Sequence, residues 1–390
     1  MEITETLEFI RTLYPEQDYI GLHTPHIEKT DELHVLECLK STFVSSIGEY
    51  TKLFEAKLNE FFAPHFVVPT VNGTTALQIA LKVCGVIPGD LVITQAFSFV
   101  ATANAIKHVG ADPIFVDIDE KTLGMSPGSL IKFIQNNAKL MNGQLIHSGS
   151  GRNIRAIIPM HTFGHPAEIS KLREIANEFS LVLVEDTAES FGSKHNDRLT
   201  GTFGDAACLS FNGNKIITTG GGGASIFKDQ DKAQHAKHII NTAKVDHPYE
   251  FYHNEVGFNF RMPSLNASLG YSQLSKFDYI LNQKRLLAEQ YRHFFSQWPQ
   301  IKFISESKNN LSNYWLNVIK LESSSKKIEF LEQSNSTGIQ TRPAWNLLCD
   351  LPMYKNSPKS DLTQSISMRD RLVCLPSSIP LQKIEKNFLD

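Results

Sequence analysis

Phe66-Val67-Val68-Pro69-Thr70-Val71 is a short apolar run, and Asn72-Gly73-Thr74-Thr75-Ala76-Leu77 turns it into a helical pattern predicted over residues 75–83. Strand-length apolar runs that feed helix-period segments indicate a parallel sheet covered on both faces. The unit recurs along the chain. Residues 91–94, 114–117, 154–160 and 181–184 read as strands, with helices expected over 101–108 and 167–179. The fold class is therefore α/β. Residues 136–152, 305–313 and 323–327 are polar, glycine-, serine- or asparagine-rich, and read as loops. Around Met262-Pro263 the alternation gives way to one long helical stretch over 264–296. We place a boundary there, between a large domain of residues 1–262, which includes an N-terminal arm, and a smaller C-terminal α+β domain of residues 263–390.

The chain has 390 residues, 41% of them hydrophobic, which supports a sizeable core and about two to three domains. Lys and Arg total 38 against 41 Asp and Glu, a net charge of −3 without a cationic block, so neither nucleic acid nor an anionic membrane surface is an expected partner. No apolar run approaches a membrane span, and Met1-Glu2-Ile3-Thr4-Glu5 is acidic where a secretory signal would be basic. Cys38, Cys84, Cys208, Cys349 and Cys374 are odd in number and scattered, which speaks for a reducing compartment and against disulfides or structural zinc. The expectation is a cytoplasmic globular protein.

Three segments could carry chemistry. In Asn72-Gly73-Thr74-Thr75 a glycine permits close backbone approach, and successive amides at a helix start attract an anion such as a phosphate; a plain helix cap is the competing reading. Asp186, in Val184-Glu185-Asp186-Thr187-Ala188-Glu189, follows a hydrophobic strand at the edge where open parallel sheets place ligands. It could hold a cationic ring nitrogen protonated, or merely form a turn. The third is Cys208-Leu209-Ser210-Phe211-Asn212-Gly213-Asn214-Lys215-Ile216-Ile217-Thr218-Thr219, continuing into Gly220-Gly221-Gly222-Gly223. A lysine between small polar and apolar neighbours suits Schiff-base chemistry, because its amine is readily deprotonated when desolvated; an exposed loop lysine is the bland alternative. No G-x-G-x-x-G, Walker loop or G-x-S-x-G is present. His161 and His165, or His23 and His26, lack the glutamate of an H-E-x-x-H site, so no metal is expected. Phosphate cradle, strand-end Asp and lysine together describe a pyridoxal 5′-phosphate site.

With Phe54-Glu55, Asn72 to Leu77, Pro88-Gly89-Asp90, Phe115-Val116-Asp117-Ile118-Asp119, Glu185-Asp186, Ser210-Phe211 with Lys215, and Gly257-Phe258-Asn259-Phe260-Arg261-Met262, the chain resembles the fold-type I sugar-nucleotide aminotransferases of the DegT/StrS group. The likeness runs from about Gly21 to Leu375-Pro376-Ser377-Ser378. It implies a large, mostly parallel domain plus a small C-terminal one, and catalysis by Lys215 and Asp186. Lys215 would bond the cofactor and shuttle a proton, Asp186 would pair with its ring nitrogen and Phe99 would stack on the ring. Gly73, Thr74, Thr75 and Ser210 would hold the phosphate, joined by Asn259 from the partner of a homodimer. Glu189 stands where many members have Gln beside the cofactor's 3′-oxygen, and the four glycines replace a frequent Gly-Glu-Gly-Gly. Asn212, Tyr314, Trp315 and Arg342 are substrate-binding candidates.

Leu22-His23-Thr24-Pro25, residues 38–46, Phe211 to Lys215 and Thr341-Arg342-Pro343-Ala344-Trp345 also resemble a LegC-like subgroup. That implies amine transfer from glutamate to C4 of a UDP-linked 4-keto-6-deoxy-N-acetylhexosamine, for bacillosamine- or legionaminic-type glycans. A 3-keto dTDP sugar is the alternative substrate. A related dehydratase would carry histidine in place of Lys215, and an amino-acid aminotransferase would want an arginine pair. A cofactor-binding regulator without turnover would have little use for Lys215 and Asp186.

Overall fold

The computed structural model describes residues 3–15 and 17–380. Helices α1 (Ile3–Leu13), α2 (Lys29–Ser41) and α3 (Glu49–Phe61) precede a nine-stranded sheet. Its strands include β1 (Phe66–Thr70), β2 (Leu91–Gln95), β3 (Asp112–Val116), β4 (Ala138–Met141), β5 (Gln144–His147), β6 (Asn153–Ile158) and β7 (Val182–Asp186). Across the sheet the order is β1, Gly223–Phe227, Ala206–Ser210, β7, β6, β2, β3, and Ala206–Ser210 through β3 are mutually parallel. Gly223–Phe227 alone in that series runs antiparallel to both neighbours, β1 and Ala206–Ser210. All five residues of β2 and of Gly223–Phe227 are buried, which explains why these segments lack polar alternation.

Helices cover the sheet as the sequence predicts. Helix α4 (Gly73–Val83) buries Ala76, Leu77, Ile79, Ala80 and Leu81 in a cluster with Val92, Ile106, Val184 and Phe227. Each large side chain removed from water there contributes about 1.5–3 kcal/mol. Beyond the sheet, α1 sends Ile3, Leu7 and Ile10 into a separate cluster with Leu287, Tyr291, Phe330 and Val373, so the N-terminal helix packs on C-terminal elements. A four-stranded antiparallel sheet there contains Asn317–Lys320, Leu372–Leu375 and Arg342–Pro343. No helix among the described residues is long and apolar enough to cross a membrane.

Three expectations need correction. Residues 136–152 are not an open loop: β4 and β5 form a hairpin through Asn142-Gly143, both at positive φ, and β5 pairs antiparallel with β6. The stretch 264–296 is two helices, Ser264–Ser275 and Phe277–Ser296, interrupted at Lys276. The serine-rich stretch 323–327 begins a helix, Ser324–Ser336, because Ser323 Oγ accepts the Lys326 amide at 3.3 Å as an N-cap.

Candidate active site

The parallel strands end at one edge, and the site is built there. At the start of α4, Asn72 is the cap: its Oδ1 accepts the Thr75 amide at 2.8 Å and its carbonyl accepts the Thr75 hydroxyl at 2.9 Å. Thr75 is thereby spent on the helix start, leaving Gly73 and Thr74 on the cavity wall. Two glycines let this turn press against the sheet. A Cβ on Gly223 would lie 2.5 Å from the Asn72 carbonyl carbon, and one on Gly73 would lie 2.9 Å from Ser210 Cβ. Ser210 and Gly223 face each other across the antiparallel pair, so the serine sits directly under the helix start.

Glu185 and Asp186 are neighbours with opposite fates, because successive strand side chains point to opposite faces. Glu185 is fully buried behind the sheet, accepting the amides of Gly201, Phe203 and Gly204 at 2.7–2.9 Å and meeting His161 Nε2 at 3.0 Å. Asp186 faces the cavity. Its Oδ2 accepts the Thr102 hydroxyl at 2.7 Å, and its Oδ1 accepts the Ala188 amide at 3.2 Å and the Cys208 thiol at 3.4 Å.

Lys215 Nζ lies 3.4 Å from Glu189 Oε1 and 3.8 Å from the centroid of the Trp315 ring. The indole is held in turn by its Nε1 donating to the Asn214 carbonyl at 2.6 Å. Glu189 is buried and accepts the Phe163 amide at 2.9 Å; burial pushes its carboxyl up to about 7, opposed by Lys215. His23 also lines the cavity. Burial and the cations of Lys284 and Lys215 hold its imidazole well below the usual range, and its Nδ1 has no hydrogen-bond partner among the described residues. Of the four glycines after Lys215, Gly220 has φ +79°, a Cβ on Gly222 would collide with Thr219 and one on Gly223 with Asn72, whereas Gly221 has open space.

One cavity of about 1080 Å³ gathers Gly73, Thr74, Phe99, Asp186, Glu189, Ser210 and Lys215, with Asn212, Trp315 and Arg342 on its walls. Three candidates stand outside it. Thr75 caps α4. Asn259 is exposed, on a segment bridged to Asn241. Tyr314 is buried in the C-terminal cluster, with its hydroxyl accepting the Glu306 amide at 3.2 Å. Sequence reasoning missed Thr102, Cys208, His23 and Lys327. Cys208 was reachable, since it lies two residues from Ser210 and a strand repeats its face every second residue. Thr102 had no comparable signature; it is one polar residue in a small-residue helix.

A model of the DegT/DnrJ/EryC1/StrS aminotransferase family matches residues 25–386. The chain is 33% identical over 360 residues to the GDP-perosamine synthase of Escherichia coli O157:H7, covering 92% of this chain and 93% of that one. It is 27% identical to the UDP-2-acetamido-2-deoxy-3-oxo-D-glucuronate aminotransferase of Pseudomonas aeruginosa, over 85% of each. The crystal structure of a DegT DnrJ EryC1 StrS aminotransferase from Brucella abortus superposes with a TM-score of 0.82, at 26% identity and 92% coverage of both chains. Pyridoxal 5′-phosphate fits the residues present: a glycine-floored helix start for its phosphate, a buried carboxylate for its ring nitrogen, and a lysine amine for its carbonyl carbon.

Proposed function

We propose a substrate and a division of labour for a chain that belongs to the DegT/DnrJ/EryC1/StrS aminotransferase family and is a pyridoxal phosphate-dependent transaminase. The amino group passes from glutamate to C4 of a nucleotide-linked keto-deoxy-sugar, a UDP-4-keto-6-deoxy-N-acetylhexosamine of the LegC-like type, for bacterial surface glycans. The observation that carries this reading is the convergence of Lys215, Asp186 and the α4 start in one cavity of about 1080 Å³. Ligand pockets commonly span about 300–1,000 Å³, so this one has room for a substrate beside the cofactor.

Bound pyridoxal phosphate supplies an electron sink for the carbon that carries the amino group. Gly73, Thr74 and Ser210 would hold its phosphate, and Phe99 would pack against its ring. Asp186, braced by Thr102 and the Ala188 amide, keeps the ring nitrogen protonated. Lys215 Nζ takes a proton from the donor carbon and returns one to the acceptor carbon; the Trp315 face and Glu189 hold the amine in place between the two transfers. With its carboxyl pushed up to about 7, Glu189 is partly protonated near neutral pH, and that form would donate a hydrogen bond as the amide of Gln does, lessening the repulsion an acid would bring beside a phenolate oxygen. Assaying a panel of 4-keto and 3-keto nucleotide sugars with glutamate tests the substrate. Turnover of the 4-keto UDP sugar supports the reading, and exclusive turnover of a 3-keto sugar overturns it.

The same reading includes a homodimer with shared sites. Tyr249, Phe251 and Val256 are 80–82% exposed on the segment that leads to Asn259, an apolar surface that a second copy would cover. In that arrangement Asn259 reaches the partner's phosphate site. A fully active monomer, seen by light scattering at assay dilution, would contradict it.

A further inference from the structure

The cavity has a second cationic wall, far in sequence from the α4 cradle. It is made by three C-terminal elements: Arg342 on the strand Arg342–Pro343, Lys327 in the first turns of helix Ser324–Ser336, and Arg369 near the end of helix Thr363–Arg371. Their states differ. Arg369 is already neutralised, with Nη1 2.9 Å from Asp350 and Nε 2.9 Å from Asp370, which also lines the cavity. Lys327 and Arg342 form no ion pair among the described residues. Lys327 Nζ donates to the Arg369 carbonyl at 2.9 Å, which ties it to the wall and leaves two of its three protons unused. Partial burial lowers its basicity, the cost of an ammonium drawn from water without a bonded anion.

The cofactor phosphate does not explain this wall, because the α4 start, Gly73, Thr74 and Ser210 already make one anion site. The cavity has two, and a nucleotide-linked sugar carries the second anion in its diphosphate. We propose that Lys327 and Arg342 form the subsite for the substrate's diphosphate, a conclusion that rests on the nucleotide-sugar reading above. Arg342 offers a planar fork that matches two phosphate oxygens, and Lys327, lining the same cavity, offers a point charge. Asp370 keeps Arg369 occupied and confines the free positive charge to those two side chains. The wall then fixes where along the cavity the sugar ring lies, independently of the base.

The test is calorimetric titration of the cofactor-loaded enzyme with UDP, GDP and dTDP, and with uridine as the phosphate-free control. Wild type should bind at least one nucleoside diphosphate well above the nucleoside. Arg342→Ala and Lys327→Ala should each weaken that diphosphate by about ten-fold, the scale of a charge-assisted hydrogen bond, and leave uridine unchanged. Lys327→Arg should restore most of the loss, which a packing defect would not allow. Unchanged diphosphate affinity in both alanine variants overturns the subsite and leaves the nucleotide-sugar reading standing. A wild type that changes colour with glutamate but binds no nucleoside diphosphate overturns both. If the variants shift only the glutamate concentration for half-maximal colour change, the cations serve the donor's carboxylate and the proposal is wrong.

Discussion

The two walls of the cavity are made differently. The cradle wall comes from strand ends and the first turn of α4, where backbone geometry places every group: Gly73 and Gly223 admit no Cβ, and Asp186 is held by three donors. The other wall gathers His23, Lys327 and Arg342 from separate parts of the chain, and its Lys327 and Arg342 form no ion pair among the described residues. A rigid wall suits a cofactor and a proton path that are the same in every turnover. A wall of side chains with unspent charge suits a substrate that must enter and leave. The difference teaches that preorganisation is concentrated where the chemistry is fixed.

The sharpest way to break this contrast is at Lys215. Lys215→Ala should abolish transamination and the protein's yellow colour while leaving the thermal unfolding midpoint within a few degrees of wild type. Substantial turnover in that variant would move the chemistry off the cradle wall. A smaller effect separates the glycines. Gly223→Ala should cost about 1–3 kcal/mol in stability, as expected for overpacking against backbone, and weaken cofactor binding. Gly221→Ala, with open space around it, should stay within about 0.5 kcal/mol of wild type in urea unfolding. Equal losses at the two positions would mean that the run is a flexible linker rather than a fitted turn.

Glu189 tests the seam between the walls through pH. Its carboxyl stands at about 7 in the folded protein against 4.5 ordinarily, so the native state holds a proton that the unfolded chain has released. Stability from this group is therefore present below pH 4.5 and declines as pH rises through the interval to 7, by on the order of 3 kcal/mol in full. Glu189→Gln should flatten that part of the profile in cofactor-free protein, measured by urea unfolding at several pH values. An unchanged slope would show that Glu189 ionises normally.

What the sequence made legible follows the same division. Buried strands and their helices could be read because burial on both faces leaves continuous apolar runs, and the cradle could be read because its glycines and threonines are contiguous. The β4–β5 hairpin was masked by polar flanks, although Asn142-Gly143 is a two-residue turn of the kind that joins hairpins. Tyr314 and Trp315 could not be told apart by composition. Tyr314, at φ +47°, turns into the C-terminal cluster and Trp315 into the cavity. Lys327 and His23 reach the cavity only through tertiary packing, which no local pattern encodes.

The central claim is that Asp186, rather than its buried neighbour Glu185, is the charge that drives both halves of the reaction. Single-turnover kinetics of Asp186→Asn, with the glutamate and keto-sugar halves measured separately, tests it most directly. The substitution keeps the shape and removes the charge, so cofactor should still bind at Gly73, Thr74 and Ser210. Both halves should slow together by about 10²–10³, the scale of losing one preorganised electrostatic contact. Rates within a few-fold of wild type in both halves would make Asp186 a turn former and contradict the site described here.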